Sequence, residues 1–184
     1  MDTNRRCAWC NLKNPRYGAY HDGEWCRPHT NVAYLYEMLV LESFQAGLSF
    51  ECVLNKREAF REAYEGFAID RVCLFDEKKI EALLENKGII RHRLKILASI
   101  QNSRVFKAIS AEFGSFYAYL KTFTGDEVIY ETGKTKSALS DALAKDLKKR
   151  GMTFLGSTII YSYLQATGFI YAHENGCFLH KSHV

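Results

Sequence analysis

Residues 32–49, VAYLYEMLVLESFQAGLS, form an apolar stretch that carries a carboxylate, Glu42, among its most hydrophobic positions. Its large apolar side chains recur at helical spacing, which predicts a buried helix over residues 31–47; they are Tyr34, Leu35, Met38, Leu39, Leu41, Phe44 and Leu48. Burying a carboxylate costs free energy unless hydrogen-bond donors meet it. Two interpretations therefore stay open: Glu42 points to water, or it faces a cavity whose ligand presents donors.

The composition predicts one folded domain over residues 1–184, since 47% of the residues are hydrophobic. No run approaches the ~20 apolar residues of a membrane span. No apolar segment follows the charged residues 1–6, so we expect no signal peptide, no membrane partner and a cytoplasmic location. The net charge of +4 is compatible with a polyanionic partner. In a reducing compartment the six cysteines are expected to be buried thiols or metal ligands.

Start and stop signals predict further helices along the chain, and the fold class is therefore all-α. Ser49 can cap a helix that ends near Gly66, Asp70 and Asp76 can each begin a short helix, and a long helix starts near His92. We expect three later helices over residues 116–123, 140–151 and 157–168. Residues 127–130 are the one segment with an extended pattern.

Cysteines and histidines near the two ends of the chain suggest a metal site. Two cysteines and two histidines are a suitable tetrahedral zinc set, and four protein ligands leave no open position for water; the candidates are Cys7, His21, His173 and Cys177. A rival set replaces His21 with Cys10, and Cys26 is a third candidate. Such a zinc ion would be structural and would join the N- and C-terminal segments.

A basic segment, NKGIIRHRLKI at residues 86–96, predicts a turn between two helices. Backbone amides at the start of the second helix can bind a phosphate. Cations at a helix N-terminus oppose the macrodipole unless an anion arrives, so we expect DNA-backbone contacts from Lys87, Gly88, Ile90, Arg91, Arg93 and Lys95. The alternative is an ordinary helix–helix turn with a charged rim.

Five aromatic residues lie in the first fifty positions, outside any clear helical face. Such residues are most often core, but they can also line a pocket that stacks a flat, electron-poor ring; they are Trp9, Tyr17, Tyr20, Trp25 and Phe50. A carboxylate beside these rings suits a cationic or NH-rich aromatic ligand. A damaged purine fits that description.

Several motifs, in order along nearly the whole chain, resemble the bacterial 3-methyladenine DNA glycosylase I family. They are CAW at residues 7–9, YxxYHDxEW at 17–25, LExFQAGLS at 41–49, GIIRHRxKI at 88–96, SDAL at 140–143, LKKRG at 147–151 and HxxxC at 173–177. The resemblance implies an all-helical helix-hairpin-helix glycosylase fold, with the hairpin near residues 77–112. It also implies a structural zinc ion and excision of 3-methyladenine from alkylated double-stranded DNA.

Carried to matching positions, the resemblance makes Cys7, His21, His173 and Cys177 the zinc ligands. It makes Glu42 the catalytic carboxylate of a base pocket with Trp9, Tyr17, Tyr20 and Phe50, and we add Trp25 to that pocket. The loop with Gln45, Gly47 and Leu48 is the expected wedge that fills the gap left by a base turned out of the duplex. We expect a monomer that hydrolyses the N-glycosidic bond without a lyase step.

The chain departs from the family pattern at a few positions. Cys26 and Ser43 stand where glycine is usual, Phe50 replaces a tryptophan, and Tyr171-Ala172 replaces Asn-Asp. Two rival functions stay open. One is a non-catalytic binder of alkylated or distorted DNA with an altered pocket, and the other is a zinc module that mediates protein contacts.

Overall fold

The structure, a computed structural model, describes residues 4–181. The predicted domain's residues 1–3 and 182–184 lie outside that range. The elements are α1 Pro15–Gly23, α2 Val32–Gln45, α3 Phe50–Leu54, α4 Arg57–Ala63, a 3-10 turn Glu65–Phe67, α5 Ile69–Val72, α6 Glu77–Glu85, α7 Arg93–Phe113, α8 Phe116–Thr124, β1 Ile129–Tyr130, α9 Ala138–Lys149, α10 Ser157–Ala166 and β2 Ile170–Tyr171. The described chain is mostly helical, as predicted. Within it, no helix is long and apolar enough to cross a membrane.

Helix α2 is the central helix, and it packs against α3, α7, α8 and α10. Its nine buried residues run from Leu35 to Phe44, so it is enclosed on most sides. The Asn31 side chain accepts hydrogen bonds from the amides of Ala33 and Tyr34, which confirms the predicted start. The Tyr163 hydroxyl of α10 donates to the Leu35 carbonyl at 3.1 Å and fixes the two helices together.

The predicted caps are partly confirmed. Ser49 and Asp76 each accept a hydrogen bond from an amide in the first turn of α3 and α6. His92, where the long helix was expected to start, caps α7 in the same way. Asp70 is not a cap, because α5 begins one residue before it and follows Ala68. The helix expected from Ser49 to Gly66 is divided into α3, α4 and a 3-10 turn.

One further helix start is shifted from its predicted position, and the start of the last helix is confirmed. Ser137, not Ser140, caps α9; Ser140 is the reciprocal partner of a capping box, and its hydroxyl accepts from the Ser137 amide at 2.8 Å. Helix α10 does begin at Ser157, but Gly156 is the capping position and no side-chain bond caps it.

Two elements were missed from the sequence. Helix α1 lies in a region where the sequence showed no clear helical face. Strand β2 pairs in parallel with β1, with Ile129 opposite Ile170, so the extended pattern at residues 127–130 has a partner near the C-terminus. This two-stranded sheet holds the segment after α10 against the segment before α9.

The N- and C-terminal segments lie against each other. The Ala8 amide donates to Glu174 Oε2 at 2.7 Å, and the Phe178 amide donates to the Arg5 carbonyl at 2.8 Å. These bonds bring residues 5–10 and 173–178 to the same side of the molecule, next to α1 and the end of α2.

Candidate active site and metal centre

Glu42 lies in the last turn of α2 and is buried, with only 2% of its surface exposed. Among the described residues its Oε2 atom has no hydrogen-bond partner. Burial raises the pKa of this carboxyl well above its usual value. The interpretation of a solvated Glu42 is therefore wrong, and a buried carboxyl lies at the end of the central helix.

A cavity of about 520 Å³ opens in front of Glu42. All five predicted aromatic residues line it, together with Gln45 from the end of α2. The sequence missed the rest of the lining, which comes from three later segments: Gly133, Lys134, Thr135, Ser162, Gln165, Ala172 and Glu174. We call this cavity the cleft.

The rings of the cleft form two contacting groups. Trp9 lies 5.1 Å from Tyr17 and 4.7 Å from Trp25, measured between ring centroids. Tyr20 lies 5.0 Å from Phe50. Burial raises the pKa of Tyr17 to about 12, so its hydroxyl stays protonated at neutral pH and can donate or accept a hydrogen bond. The arrangement suits a flat ligand that stacks on rings and offers donors to Glu42.

Helix α1 places both cleft and metal-site residues. Asn14 caps it by accepting from the Arg16 amide, and Pro15 occupies the first turn. Tyr17 is three residues before Tyr20 and four before His21, so all three lie on one face. Only Tyr20 and His21 of this helix are buried.

The predicted metal-binding residues Cys7, His21, His173 and Cys177 are brought together, and we call them the Cys/His cluster. Their ligand atoms all lie within 4.8 Å of one another, and all four residues are buried. Cys177 Sγ is 3.6 Å from both His21 Nε2 and His173 Nδ1, and Cys7 Sγ is 3.6 Å from His173 Nδ1. Metal–ligand bonds of about 2.1–2.3 Å give a tetrahedron with edges of about 3.6 Å, so the donor set fits a metal ion.

The rival ligands lie elsewhere. Cys10 Sγ faces the Tyr17 carbonyl at 3.9 Å, and Cys26 Sγ accepts from the Ala172 amide at 3.2 Å. Cys26 occupies a left-handed conformation with φ of 61°, which explains why glycine suits this position. Neither belongs to the group of ligand atoms that could hold a metal.

A carboxylate orients one histidine of the cluster. Asp22 Oδ1 lies 2.8 Å from His21 Nδ1, and Arg6 holds the same carboxylate through both of its oxygens. His21 Nε2 is then directed at the cluster. Burial lowers the pKa of His173 to about 4, which keeps that ring neutral, and burial raises the pKa of the Cys7 thiol to about 12. A bound divalent cation would favour the thiolate form.

The segment between α6 and α7, residues 86–92, forms the predicted turn, and we call it the hairpin. Asn86 Oδ1 accepts from the Gly88 amide at 2.8 Å, and Lys56 donates to the carbonyls of Lys87 and Gly88. A Cβ on Gly88 would lie 2.9 Å from Ala59 Cβ, so glycine is required for this close approach. Ile90 is half-buried at the same turn.

The four predicted cations differ in their surroundings. Lys87 and Arg91 are exposed. Arg93 is paired with Glu77 and Glu81 of α6. Lys95 is buried and donates to carbonyls at the end of α2. In the loop after α2, Gly47 has φ of 78° and Leu48 is 44% exposed.

The fold is thus mostly helical, and it brings together a buried carboxylate, a ring-lined cleft and an adjoining Cys/His cluster. The family model for methyladenine glycosylase matches residues 9–180. The chain is 40% identical to DNA-3-methyladenine glycosylase 1 of Escherichia coli, over 94% of this chain and 95% of that protein. The chain therefore belongs to the methyladenine glycosylase family.

Solved structures of 3-methyladenine DNA glycosylase I also superpose closely on this chain. A crystal structure of a 3-methyladenine DNA glycosylase I superposes with a TM-score of 0.90 at 43% identity, covering 96% of this chain and 100% of that one. A Staphylococcus aureus 3-methyladenine DNA glycosylase I, whose structure describes 3-methyladenine recognition, superposes with a TM-score of 0.89 at 31% identity, covering 94% of each chain.

Proposed function

We propose that this protein is a DNA repair glycosylase that excises 3-methyladenine from alkylated double-stranded DNA. The family supports this function, and one observation carries it: the unpartnered Oε2 atom of buried Glu42 at the ring-lined cleft. A base inside a duplex cannot reach such a cleft, so the nucleotide must first be turned out of the stack, at a cost of roughly a few kcal/mol.

The chemistry follows from the charge of the damaged base. N3-methylated adenine in DNA is positively charged and leaves without a strong general acid. The cleft lined by the rings of Trp9, Tyr17, Tyr20, Trp25 and Phe50 receives it, because a π-face attracts positive charge. Glu42 accepts hydrogen bonds from its NH groups, and the positive charge favours the ionised carboxylate. The N-glycosidic bond breaks with its electron pair going to the base, which leaves as neutral 3-methyladenine. Water adds to the sugar carbon, releases a proton to solvent and leaves an abasic site.

The mechanism assigns no lysine the role of nucleophile, and we therefore propose a monofunctional enzyme without a lyase step. Lys134 is the lysine that lines the cleft, and it is paired with Glu131 at 3.0 Å. Ser43, a departure from the family pattern, donates back to the Val40 carbonyl at 2.7 Å. Its hydroxyl is thus used within α2, and Phe50 supplies a ring where the family has a larger one.

We assign DNA contacts to two neighbouring segments. The hairpin acts as a helix-hairpin-helix motif, in which the backbone at Gly88 and Ile90 lies against the DNA strand and the exposed Lys87 and Arg91 hold its phosphates. Arg93 reaches a phosphate only if it releases Glu77 and Glu81. Residues 45–48 form the wedge loop, and Leu48 at its tip fills the gap left by the extruded base.

The Cys/His cluster binds zinc in this proposal, because a closed set of two thiolates and two imidazoles is a typical structural zinc site. The ion joins the segment around Cys7 and His21 to the segment around His173 and Cys177. It takes no part in catalysis. The enzyme works as a single-domain monomer on DNA in the cytoplasm.

The decisive experiment measures release of 3-methyladenine from methylated duplex DNA. The wild type should release the base. Glu42→Gln should release it at least about 100-fold more slowly, since the charge that meets the cationic base is lost. Glu62→Gln removes an exposed carboxylate of α4 and should act like the wild type.

Two results would contradict this proposal. A wild-type protein that binds methylated duplex yet releases no base is the non-catalytic binder instead. A protein with no salt-dependent DNA affinity makes no phosphate contacts and fits the protein-contact module.

A further inference from the structure

Lys95 is the only lysine classed as buried among residues 4–181, with 6% of its surface exposed. It lies in the first turn of α7, three residues after the capping His92. Its Nζ donates to the Phe44 carbonyl at 2.8 Å and to the Ala46 carbonyl at 2.6 Å. A lysine that we predicted to contact phosphate thus has two of its donors on the end of α2.

These bonds have a clear physical basis. The last carbonyls of a helix have no partner within the helix, and the negative end of the macrodipole attracts a cation. An ammonium group that is buried needs such acceptors to replace the hydrogen bonds that it made to water. The ring of Phe154 lies 6.0 Å from the same nitrogen and covers it further.

The two accepting carbonyls lie on either side of Gln45. The Gln45 side chain lines the cleft, and its Oε1 has no hydrogen-bond partner within the described chain. Glu42 lies one turn earlier, and Gly47 and Leu48 follow directly. Lys95 therefore holds the backbone at the junction between the carboxylate and the wedge loop.

On its other side Lys95 belongs to the first turn after the hairpin. We propose that Lys95 is a positioning residue that connects the DNA-gripping hairpin rigidly to Gln45 and the wedge loop. The inference rests on the proposed function. When the hairpin grips the backbone, this connection fixes where the wedge loop enters the duplex and where Glu42 meets the extruded base.

The test compares Lys95→Met with the wild type, using Lys107→Met as the matched control. Lys107 lies on the same helix, is exposed and is paired with Asp70. Single-turnover base release from methylated duplex separates the maximal rate from the half-saturating enzyme concentration. Binding of free 3-methyladenine reports on the cleft alone, and amide hydrogen exchange at residues 45–48 reports on the wedge loop without catalysis.

For Lys95→Met we expect the maximal rate to fall about 100-fold, the effect of a small misplacement of reacting groups. The half-saturating concentration and the affinity for free base should stay unchanged, and exchange at residues 45–48 should accelerate. Lys95→Arg keeps the charge and should restore an intermediate rate. Lys107→Met should match the wild type in every measurement.

Other outcomes overturn the inference. Unchanged exchange, or an unchanged maximal rate, means that Lys95 does not position the loop. Parallel loss of melting temperature and free-base affinity means a merely structural lysine. If Lys95→Met does not fold, Lys95→Arg and Lys95→Gln decide, because the inference requires the rate to fall in the order Lys, Arg, Gln. If the wild type releases no base, the proposed function fails. Amide exchange at residues 45–48 still tests whether Lys95 positions the wedge loop.

Discussion

Glu42 makes a quantitative prediction about stability, because a buried, unpartnered carboxyl keeps its proton to a higher pH than the unfolded chain does. An ordinary glutamate titrates near pH 4.5, and burial raises the pKa of Glu42 well above that value. Its stabilising contribution is complete below pH 4.5 and is lost as the pH rises toward the folded-state pKa. Over that interval the free energy of unfolding falls by about 1.4 kcal/mol per pH unit.

The perturbation is Glu42→Gln, which removes the ionisable group and keeps its shape. At pH 4.5 the two proteins should differ little. The advantage of Glu42→Gln should grow with pH and should not exceed about 3–4 kcal/mol at pH 7, the limit set by 2.5 pH units of linkage. Urea denaturation at half-unit steps from pH 4.5 to 7 measures the difference, in which all other titrating groups cancel.

Glu62→Gln provides the control, since its exposed carboxylate lies on α4 and its curve should run parallel to the wild type. The reasoning is refuted if the wild-type and Glu42→Gln stabilities fall in parallel across this range. That result would mean that Glu42 ionises normally and that water or a neighbouring group already satisfies its Oε2 atom in the free protein.

Four further predictions concern the metal, the hairpin and the duplex. Asp22→Asn should weaken zinc affinity about 10–100-fold, because the carboxylate that orients His21 is lost. Competition with a chromophoric chelator measures this affinity. Removing the metal with a chelator should weaken free 3-methyladenine binding, measured by tryptophan fluorescence; unchanged binding would separate the cluster from the cleft. Gly88→Ala should destabilise the hairpin by about 1–3 kcal/mol through its contact with Ala59, measured by urea denaturation. Lys87→Ala should reduce the slope of log affinity against log salt by about one in duplex binding, and an unchanged slope would exclude a phosphate contact.

Local signals in the sequence were sufficient for the central helix. Asn31 caps α2, and most of the predicted apolar face is buried, with Tyr34 half-buried and Leu48 exposed as the exceptions. His92 and Asp76 work in the same way, because a cap depends on residues two or three positions away. Where the signal is shared between neighbouring serines, as at Ser137 and Ser140, sequence alone did not show which one precedes the helix.

Helix α1 shows where local signals fail. Only two of its nine residues are buried, so it has no apolar stripe to reveal its period. The cap at Asn14 and the proline at Pro15 were available as start signals, and they were not used. Its aromatic residues were correctly grouped as cleft candidates, because that prediction depended on residue type and not on secondary structure.

The cations show a second limit. Lys87, Arg91, Arg93 and Lys95 look equivalent in the sequence, since all four lie within nine residues around the same turn. Their different environments come from other elements: α6 supplies the partners of Arg93, and the end of α2 supplies those of Lys95. The later cleft segments, such as residues 133–135, could not be predicted for the same reason: they are distant in sequence and approach the cleft only in the folded chain.

The cleft and the Cys/His cluster lie on opposite sides of the same group of aromatic and histidine rings. This is why we expect removal of the metal to weaken binding of the free base. Trp25 contacts His173 with ring centroids 4.8 Å apart, and Trp9 contacts His21 at 5.3 Å. Tyr20 of the cleft directly precedes His21 of the Cys/His cluster on α1, so a rotation of this helix about its axis moves both side chains. A metal ion that fixes the two histidines therefore also fixes the rings that face Glu42. The carboxyl costs stability while it is unpartnered, and a bound metal ion would keep these rings from closing over it.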